Sequence, residues 1–386
     1  MTERPLKVLH ALGAFDPGGV ETWLLGVLKS CDRGRIEFDF CTFGQGVGAN
    51  AREVERLGGK ILPCPVSGNF LSFRRRFRRV LREGHYDAVH SHVHCFSGAL
   101  LRWAQAERVP MRIAHSHTSR DDRPDTLSRR YYRRAMKSWI RRYATHGLAA
   151  SRLAAADLFG ERWEEDARFR VLHYGIDFGK FQEPVSREQV RSEIGLPLDA
   201  PVVGHVGRFA PAKNHGFLLE IAGEILKTRP DVHFLFVGDG PLRPEIEARS
   251  RAMGISGNVH FPGSRADVPR LMRGAMDVFV FPSLWEGLGV ALIEAQAAGL
   301  PCSICNTVPE EVVFSPESVG FLPLAAGANR WATQVIGSFN AQRPRSNSVL
   351  DIVTQNGFSI EESVSKLKSV YLSRQSCAPI ILEQHV

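Results

Sequence analysis

The sequence predicts an α/β protein built from two doubly wound domains in tandem. Its 386 residues are enough for two or three domains of ordinary size. Short apolar segments that end in glycine or polar residues alternate with helical stretches in both halves of the chain. Hydrophobic residues make up 44% and charged residues 23%, which is ordinary for a folded protein and excludes wholesale disorder or a fibrous repeat. Strands that alternate with helices predict parallel sheets whose faces are covered.

The first half of the chain contains six predicted strands. They are Leu6–Ala11, Phe38–Phe43, Lys60–Pro63, Ala88–Ser91, Arg112–Ser116 and, as the last of this half, Gly147–Ala150. The pair Gly18-Gly19 follows the first strand and precedes an amphipathic stretch, Val20–Leu28. A further strand, Arg170–Leu172, comes before the predicted domain boundary near Tyr174–Pro184.

The second half of the chain repeats this pattern. Its predicted strands are Val202–Val206, His233–Val237, Val259–Phe261 and Val278–Phe281, and its predicted helices are His215–Thr228, Pro241–Met253, Asp267–Gly274 and Val290–Ala298. We expect one Rossmann-like domain over residues 1–178, a second over 179–370, and a tail over 371–386 that packs back on the first domain. The polar stretch 341–347 is predicted to be a loop.

Basic residues are concentrated in the first half. The formal net charge is +8, and residues 1–184 hold 31 lysines and arginines against 21 acidic residues. Two segments, 73–82 and 128–143, interleave arginines with aromatic residues at roughly helical spacing. This pattern favours contact with an anionic membrane surface, with nucleic-acid binding and plain solvated helix faces as the alternatives.

Seven cysteines spread over the chain do not form the framework of a small secreted protein. The chain has no apolar run of about 18 residues, and the apolar segment Val8–Phe15 contains His10. We therefore expect a cytoplasmic protein whose first apolar segment is a strand. The pattern Cys302-x-x-Cys305 is found in redox pairs, but a buried strand is expected after Pro301, so packed thiols are favoured.

The segment from Phe281 to Glu294 carries the strongest functional signal. A predicted strand ends at Phe281, and an apolar helix begins near Gly289. The amino terminus of a helix offers unpaired N–H groups and the positive end of the helix dipole, which suit a phosphate. Glu294 could accept hydrogen bonds from a ribose diol, and Glu286 from a sugar hydroxyl. Taken alone, the two glutamates could also be a surface loop residue and a partner of the helix dipole.

Two cations follow another strand of the same predicted domain. Arg208 and Lys213 lie five residues apart after Val202–Val206. A planar guanidinium and an ammonium at this spacing can straddle a diphosphate, although two solvated surface cations would look the same. The pair Gly18-Gly19 would let backbone approach the same phosphates from the first domain. These features together predict a diphosphate site between the two domains.

With these segments the chain resembles the family 4 retaining glycosyltransferases, which have the two-domain GT-B fold. The resemblance is carried by Gly18–Glu21 (GGVE), His173–Phe181, Gly207–Asn214, Val237–Pro241 (VGDGP), Asn258–Gly263 (NVHFPG) and Glu286–Glu294. The subgroup it is most similar to assembles exopolysaccharide or capsule. The resemblance implies two Rossmann-like domains facing across a cleft, with the acceptor on residues 1–178 and a nucleotide-sugar donor on residues 179–370.

The resemblance also implies a role for each matched residue. Arg208 and Lys213 hold the donor diphosphate, Glu294 binds the donor ribose, and Glu286 contacts the transferred sugar. The remaining donor-binding residues that it implies are Gly19, Gly238, Ser264, Arg265, Gly289 and Val290. The residues expected to be catalytic are His117, Glu286, Arg208 and Lys213. His115 is the competing assignment for the histidine near the transferred sugar.

The chemistry that this resemblance implies is a retaining sugar transfer without a metal ion or another cofactor. Fixed cations and a helix amino terminus stabilise the charge that develops on the departing diphosphate. The donor, a UDP- or GDP-sugar, is a substrate, and the acceptor is expected to be a lipid-linked glycan at the inner face of the plasma membrane. Five histidines near predicted strand ends suggest zinc as an alternative, but no cysteine or carboxylate set with metal-binding spacing accompanies them. They are His90, His92, His94, His115 and His117.

Two other functions are compatible with parts of the sequence. One is a different nucleotide-sugar enzyme on the same fold, such as an epimerase or a phosphorylase, although no lysine motif for pyridoxal phosphate is apparent. The other is a basic protein that binds nucleic acid, which would leave Glu286 and Glu294 unexplained. We expect no nucleic-acid partner.

Overall fold

The first domain is a parallel sheet flanked by helices. The computed structural model describes residues 4–16, 18–44, 46, 48, 50–66, 69–120, 124–341 and 346–373. The strands of the first sheet are β1 (Leu6–Leu12), β2 (Ile36–Thr42), β3 (Lys60–Pro63), β4 (Ala88–Ser91), β5 (Met111–Ser116), β6 (His146–Ala149) and β7 (Phe169–Val171). The helices of this part of the chain are α1 (Gly19–Ser30), α2 (Ala51–Arg56), α3 (Phe70–Gly84), α4 (Ser97–Ala106), α5 (Leu127–Tyr143) and α6 (Arg152–Phe159).

The second domain repeats the plan of the first. Its strands are β8 (Val202–Val206), β9 (His233–Val237), β10 (Val259–Gly263), β11 (Val278–Phe281), β12 (Cys302–Ile304) and β13 (Val319–Phe321). The helices of this half are α7 (Arg187–Glu193), α8 (His215–Leu226), α9 (Arg243–Ala252), α10 (Val268–Gly274), α11 (Val290–Ala297), α12 (Gly327–Ser338), α13 (Ser346–Gln355) and α14 (Ile360–Leu372).

Both sheets are doubly wound, as the sequence predicts. Their strand orders are β3-β2-β1-β4-β5-β6-β7 and β10-β9-β8-β11-β12-β13, with all neighbours parallel. Successive residues of β1 belong to different apolar clusters, Val8 to one and Leu9 to the other, so both faces of the sheet are buried. The strand order reverses between β1 and β4 and between β8 and β11. Ligands of such sheets bind at these reversals, at the carboxyl ends of the strands.

Several element predictions were wrong in detail. The segment Gly147–Ala150 is not the last strand of the first sheet, because the further predicted strand, Arg170–Leu172, is found one residue earlier as β7 and pairs with β6. Strand β13 was not predicted, since a glycine, Gly320, interrupts its short apolar run. The stretch 341–347 is not entirely a loop, because α13 begins at Ser346. The helix forms despite its polar start because it buries Val349 and Val353.

Helix α3 shows how the basic segment 73–82 folds. The Asn69 side chain accepts a hydrogen bond from the Ser72 N–H and so caps the helix. Phe73, Phe77 and Leu81 recur every four residues and are buried in the core. The aromatic residues of this segment are therefore core residues, and its arginines occupy the outer face.

The chain returns to the first domain with α14. Trp23 of α1 donates a hydrogen bond from Nε1 to Ser363 Oγ at 2.9 Å, and Tyr371 is buried beside β4. This return begins before residue 371, where the sequence placed the start of the tail, and residues 374–386 lie outside the described residues. Among the helices that the structure describes, none is both long and apolar enough to cross a lipid bilayer.

Candidate active site

Two helix amino termini meet across the cleft between the domains. Helix α1 follows Gly18, and α11 follows Gly289, whose φ of +88° is readily adopted by glycine. A Cβ on Gly19 would lie 3.7 Å from both a methyl carbon of Val290 and the ring of Tyr174. The first residues of both helices therefore border the same space. This space lies at the order reversals of both sheets and is suited to an anion.

Lys213 and Glu286 form an ion pair beside these helix ends. Their Nζ and Oε1 atoms are 2.6 Å apart, and Glu286 is 7% exposed. The Lys213 ammonium also lies 4.7 Å from the centre of the Phe281 ring. The loops that carry the pair are joined by a hydrogen bond from the Leu284 N–H to the Ala212 carbonyl, 2.8 Å long. The structure thus brings together two residues that are 73 positions apart in the sequence.

Arg208 lies on the exposed turn after β8, next to the glycine loop after β9. Gly238 has a φ of +142°, and a Cβ there would collide with the Gly207 carbonyl. Glycine is therefore required for the two loops to approach each other. Ser264 and Arg265 follow the edge strand β10, two strands from β8, and Arg265 donates two hydrogen bonds to Asp267 at 2.8 and 2.9 Å.

Glu294 lies one turn into α11 and is partly exposed. Burial raises the pKa of its carboxyl to about 7, and the Lys180 ammonium opposes that rise. Lys180 comes from the segment that joins the two sheets, and sequence reasoning assigned it no role. The protonation state of Glu294 therefore changes near neutral pH.

Sequence reasoning also assigned no role to Glu21, in the first turn of α1. Burial raises the pKa of Glu21 to about 7, and Arg208 of the other domain opposes the rise. The carboxylate thus acts across the cleft on one of the two predicted diphosphate cations. The motif GGVE contained this residue, but only the fold brings it within the influence of Arg208.

The structure distinguishes the two candidate histidines by their burial. His115 is fully buried, whereas His117 is partly exposed. A Cβ on Gly287 would collide with the His117 carbonyl, so the glutamate-bearing loop lies directly against the end of β5. Ser119 and Ser151 fasten this loop, donating hydrogen bonds to the carbonyls of Glu286 at 2.6 Å and Gly287 at 2.5 Å. Neither serine was among the predicted site residues.

His117 belongs to a hydrogen-bonded chain of five imidazoles and two phenols. From the cleft inward, its members are Tyr174, His117, His92, His10, Tyr371, His90 and His115. The three imidazole–imidazole links measure 2.7, 2.8 and 3.0 Å. Burial lowers the pKa of all five histidines, which keeps them neutral. A neutral imidazole offers one donor and one acceptor, so the links can all run in one direction.

The same histidines are the described groups whose geometry suits a metal ion. The two triads are His10, His90 and His92, and His92, His115 and His117, each with its nitrogen atoms within 4.8 Å of one another. In the hydrogen-bonded chain every ring nitrogen except His115 Nε2 has a partner. Apart from that one atom, the network is satisfied by its own hydrogen bonds. His94 lies outside it and is hydrogen-bonded to Asp157 at 2.6 Å.

Cys302 and Cys305 are free, buried thiols. Cys305 donates a hydrogen bond from Sγ to the Ser283 carbonyl at 2.8 Å. Burial raises the pKa of both thiols, which keeps them protonated and unreactive. The prediction of packed thiols is confirmed.

Matches to family models cover both domains. The Glycosyl transferase 4-like domain matches residues 18–175, and Glycosyl transferases group 1 matches residues 186–334. The putative glycosyltransferase EpsF of Bacillus subtilis (strain 168) is 32% identical over 375 residues, which cover 96% of this chain and 97% of EpsF. The UDP-Gal:alpha-D-GlcNAc-diphosphoundecaprenol alpha-1,3-galactosyltransferase of Escherichia coli is 30% identical over 223 residues, 55% of this chain and 56% of that enzyme.

A solved structure shares the arrangement of the two domains. HepE of Anabaena, crystallised with UDP and glucose, matches with a TM-score of 0.78 at 19% identity, over 95% of this chain and 100% of HepE. The expected GT-B architecture is thereby confirmed. The relatives favour sugar transfer over the epimerase-like and nucleic-acid-binding alternatives. From its matched domains and its full-length likeness to EpsF, the chain belongs to the group 1 glycosyltransferases, with a 4-like amino-terminal domain, and is a hexosyltransferase.

Proposed function

We propose that this enzyme moves a hexose from a UDP-sugar to a lipid-linked glycan, with retention of configuration, in the assembly of a cell-surface polysaccharide. The observation that carries the proposal is the meeting of the α1 and α11 amino termini beside Arg208 and Lys213. N–H groups from two domains, together with two cations of the second domain, suit a diphosphate. The UDP and glucose bound to HepE and the name of the E. coli relative support UDP as the nucleotide and a lipid-linked acceptor.

The fixed positive groups stabilise the leaving diphosphate. Negative charge grows on the nucleotide as the sugar–phosphate bond breaks, and prearranged donors act most strongly in a cleft with little water. Lys213 and Arg208 supply charge, and Gly289 and Val290 begin the helix that supplies N–H groups. With these groups in place, the transfer needs no metal ion or other cofactor.

Glu286 serves to orient the sugar and is not the nucleophile. Its carboxylate is engaged by Lys213 at 2.6 Å, which weakens it as a nucleophile. The acceptor hydroxyl attacks from the face that the diphosphate leaves, and a diphosphate oxygen takes its proton. This route retains the configuration at the anomeric carbon without a glycosyl-enzyme intermediate.

We assign the remaining donor contacts to the residues that the family resemblance implies. Glu294, in its ionised form, accepts hydrogen bonds from the ribose diol, and Gly238 lets the neighbouring loop approach the nucleotide. Ser264 and Arg265 lie at the base end of the nucleotide. His117 is the histidine beside the transferred sugar, because it is partly exposed at the cleft whereas His115 is buried.

We also propose that the enzyme associates peripherally with anionic membrane at the cytoplasmic face. The amino-terminal turns of α5 expose Leu127 at 70% and Tyr131 at 73%, next to a row of arginines. In α3, the exposed apolar residues are Phe70 and Leu71, which precede segment 73–82. The lipid contact therefore uses the starts of both helices, with their arginines facing the headgroups.

The test is transfer of labelled sugar from UDP-glucose and UDP-galactose to lipid-linked oligosaccharide extracted from bacterial membranes, with EDTA present. The proposal expects label in the lipid fraction, an α-linkage by NMR from the α-linked donor, and no loss of rate with EDTA. Label released only as free sugar, a β-linked product, or a rate abolished by EDTA and restored by a divalent cation would each contradict it.

A further inference from the structure

A pocket of about 820 Å³ opens beside the cleft, between the segment that follows β4 and the start of α5. Its lining includes His94, Phe96 and Thr118 on one side and Arg129 and Tyr132 of α5 on the other. None of the proposed donor contacts lines this pocket. It is large enough to hold a phosphorylated group rather than a single ion.

The pocket shares a wall with the donor loop. Thr118 follows His117 directly, and Arg120, which also lines the pocket, lies 5.5 Å from the ring centre of Trp285. Between them, Ser119 donates its hydrogen bond to the Glu286 carbonyl. A molecule in this pocket therefore lies next to the place where the transferred sugar is expected.

The described lining of the pocket is cationic. It contains His94, Arg120 and Arg129 and no carboxylate. Burial alone would lower the pKa of His94, but its hydrogen bond to Asp157 helps raise that pKa to about 9. His94 is thus protonated at neutral pH, and Lys137 shares the same carboxylate from behind, 3.5 Å away. Asp157 is thus paired with two cations, and the described lining itself offers the positive charges of His94, Arg120 and Arg129 to an anion.

The rim of the pocket is apolar and exposed. The ring of Phe96, in the lining, lies 6.4 Å from that of Phe70, which is 56% exposed at the start of α3. On the other side, Tyr132 of the lining lies in the first turns of α5, where Tyr131 and Leu127 are exposed. A cationic floor below an apolar rim matches a ligand with a charged head and a hydrocarbon chain.

We propose that this pocket binds the phosphate or diphosphate that joins the acceptor sugar to its hydrocarbon chain. His94, Arg120 and Arg129 hold the anion, and the chain leaves over Phe96 and Tyr132 toward the exposed starts of α3 and α5. The inference rests on the proposed function, since it concerns the second substrate of the same reaction. The enzyme would then recognise its acceptor through this phosphate or diphosphate linkage, in addition to any contact with the acceptor sugar.

The test is calorimetric titration of decyl diphosphate, below its micelle concentration, into protein saturated with UDP. Saturation fills the donor site, so added diphosphate reports on the pocket. We expect binding to wild type, a loss of about tenfold in Arg129→Gln because one charge-assisted contact is removed, and less than a twofold change in Arg134→Gln. Arg134 is an exposed arginine on the same helix outside the lining, so it is the matched control. His94→Asn, whose side chain tolerates the φ of +48° at this position, should lose affinity to a similar degree.

Three further arms separate the possible outcomes. Inorganic pyrophosphate should bind about tenfold more weakly than decyl diphosphate, because it lacks the chain. Vesicles of phosphatidylglycerol should lose affinity equally in Arg129→Gln and Arg134→Gln, since a membrane surface senses total charge. The pocket proposal would be overturned if Arg129→Gln and Arg134→Gln lost affinity for decyl diphosphate equally. It would also be overturned if Arg129→Gln and His94→Asn lost no affinity. If UDP causes no rise in Tm, the proposed function is contradicted instead. Titration of decyl diphosphate into Lys213→Ala, without UDP, would then still test the pocket.

Discussion

At the residue scale, the Lys213–Glu286 pair connects the donor site to the stability of the domain. Glu286 is nearly buried and its loop meets the first domain, so the ammonium neutralises a carboxylate that has little access to water. The same ammonium is the proposed contact of the leaving diphosphate. We therefore expect this one side chain to have both a structural role and a catalytic role, which substitutions can separate.

For Lys213→Ala we expect the rate of transfer to fall by about 10²–10³-fold, as when one stabilising donor of an active site is removed. The unfolding free energy should also fall by about 1–3 kcal/mol, because Glu286 is left unpaired. The double variant Lys213→Ala/Glu286→Gln should recover most of that stability and none of the rate. Urea unfolding measures the stability, and a transfer assay the rate, of the single and the double variant. Recovery of the rate in the double variant would show that Lys213 acts only through Glu286.

Glu294 gives a prediction for pH dependence. Its pKa in the folded protein, about 7, is above the ordinary value of 4.5, so the folded state binds the proton more tightly between these values. Its stabilising contribution is complete below about pH 4.5 and is lost as the pH rises through 7. We therefore expect Glu294→Gln to have a higher Tm than wild type at pH 8, by about 2–4 °C, and an equal Tm near pH 5.

The affinity for UDP should show the opposite trend in wild type. The ribose diol donates to the ionised carboxylate, so the affinity should rise as the pH increases from 6 to 8. Calorimetry of Glu294→Gln should give a weaker affinity that does not change over this range. A pH dependence that is identical in wild type and variant would remove Glu294 from the ribose site.

At the element scale, the approach of the loop after β11 to the end of β5 closes the site. The contact depends on Gly287, whose missing side chain makes room for the His117 carbonyl. Ser119 and Ser151 hold the loop on either side of that glycine. This small contact places the donor-binding helix α11 against the first domain.

Gly287→Ala should keep both domains folded and lower the rate of transfer by about 10²-fold, because the loop must move away from His117. UDP binding should change little, since the main phosphate contacts lie within the second domain. Gly257→Ala is the control, because a Cβ there has open space around it and the position lies in an exposed loop. The account of the contact fails if both variants transfer at the wild-type rate.

Helix α14 contributes the phenol in the middle of the histidine chain. Tyr371 is hydrogen-bonded to His90 at 2.6 Å and to His10 at 3.3 Å. For Tyr371→Phe we expect the unfolding free energy to fall by about 1–3 kcal/mol, because two buried imidazoles each lose a partner. Tyr131→Phe, on an exposed side chain, should change stability by less than about 0.5 kcal/mol in the same denaturation experiment. Equal stability of the Tyr371 variant would show that the chain of hydrogen bonds contributes nothing to the fold.

At the scale of the whole molecule, the sequence predicted the architecture well because each strand is a short apolar run that ends in a glycine or polar residue. Lys60–Pro63, Ala88–Ser91 and Val278–Phe281 have the predicted bounds. Strand β13 could not be found in this way, because Gly320 interrupts its three-residue apolar run. Helix α13 was missed because its polar start resembles a loop, and its buried residues are visible only in the packed structure.

The site was predictable where its residues lie close in sequence. Glu286 and Glu294 share one segment with the start of α11, so the chain itself shows their relation. The contacts between domains were not visible in this way. Ser151 reaches Gly287 across 136 positions, and only the packing of the two domains brings them together. Such contacts form only in the folded chain, so no periodicity or spacing in the sequence reveals them.

We expect the two domains to form one diphosphate site from helix amino termini and cations, without a metal ion. Calorimetric titration of UDP into the wild type and Lys213→Ala, in buffer containing EDTA, tests it most directly. We predict binding by the wild type in EDTA and a loss of at least tenfold in Lys213→Ala, as expected for a charge-assisted contact. Equal affinity in the two proteins, or wild-type binding that appears only after a divalent cation is added, would contradict this claim.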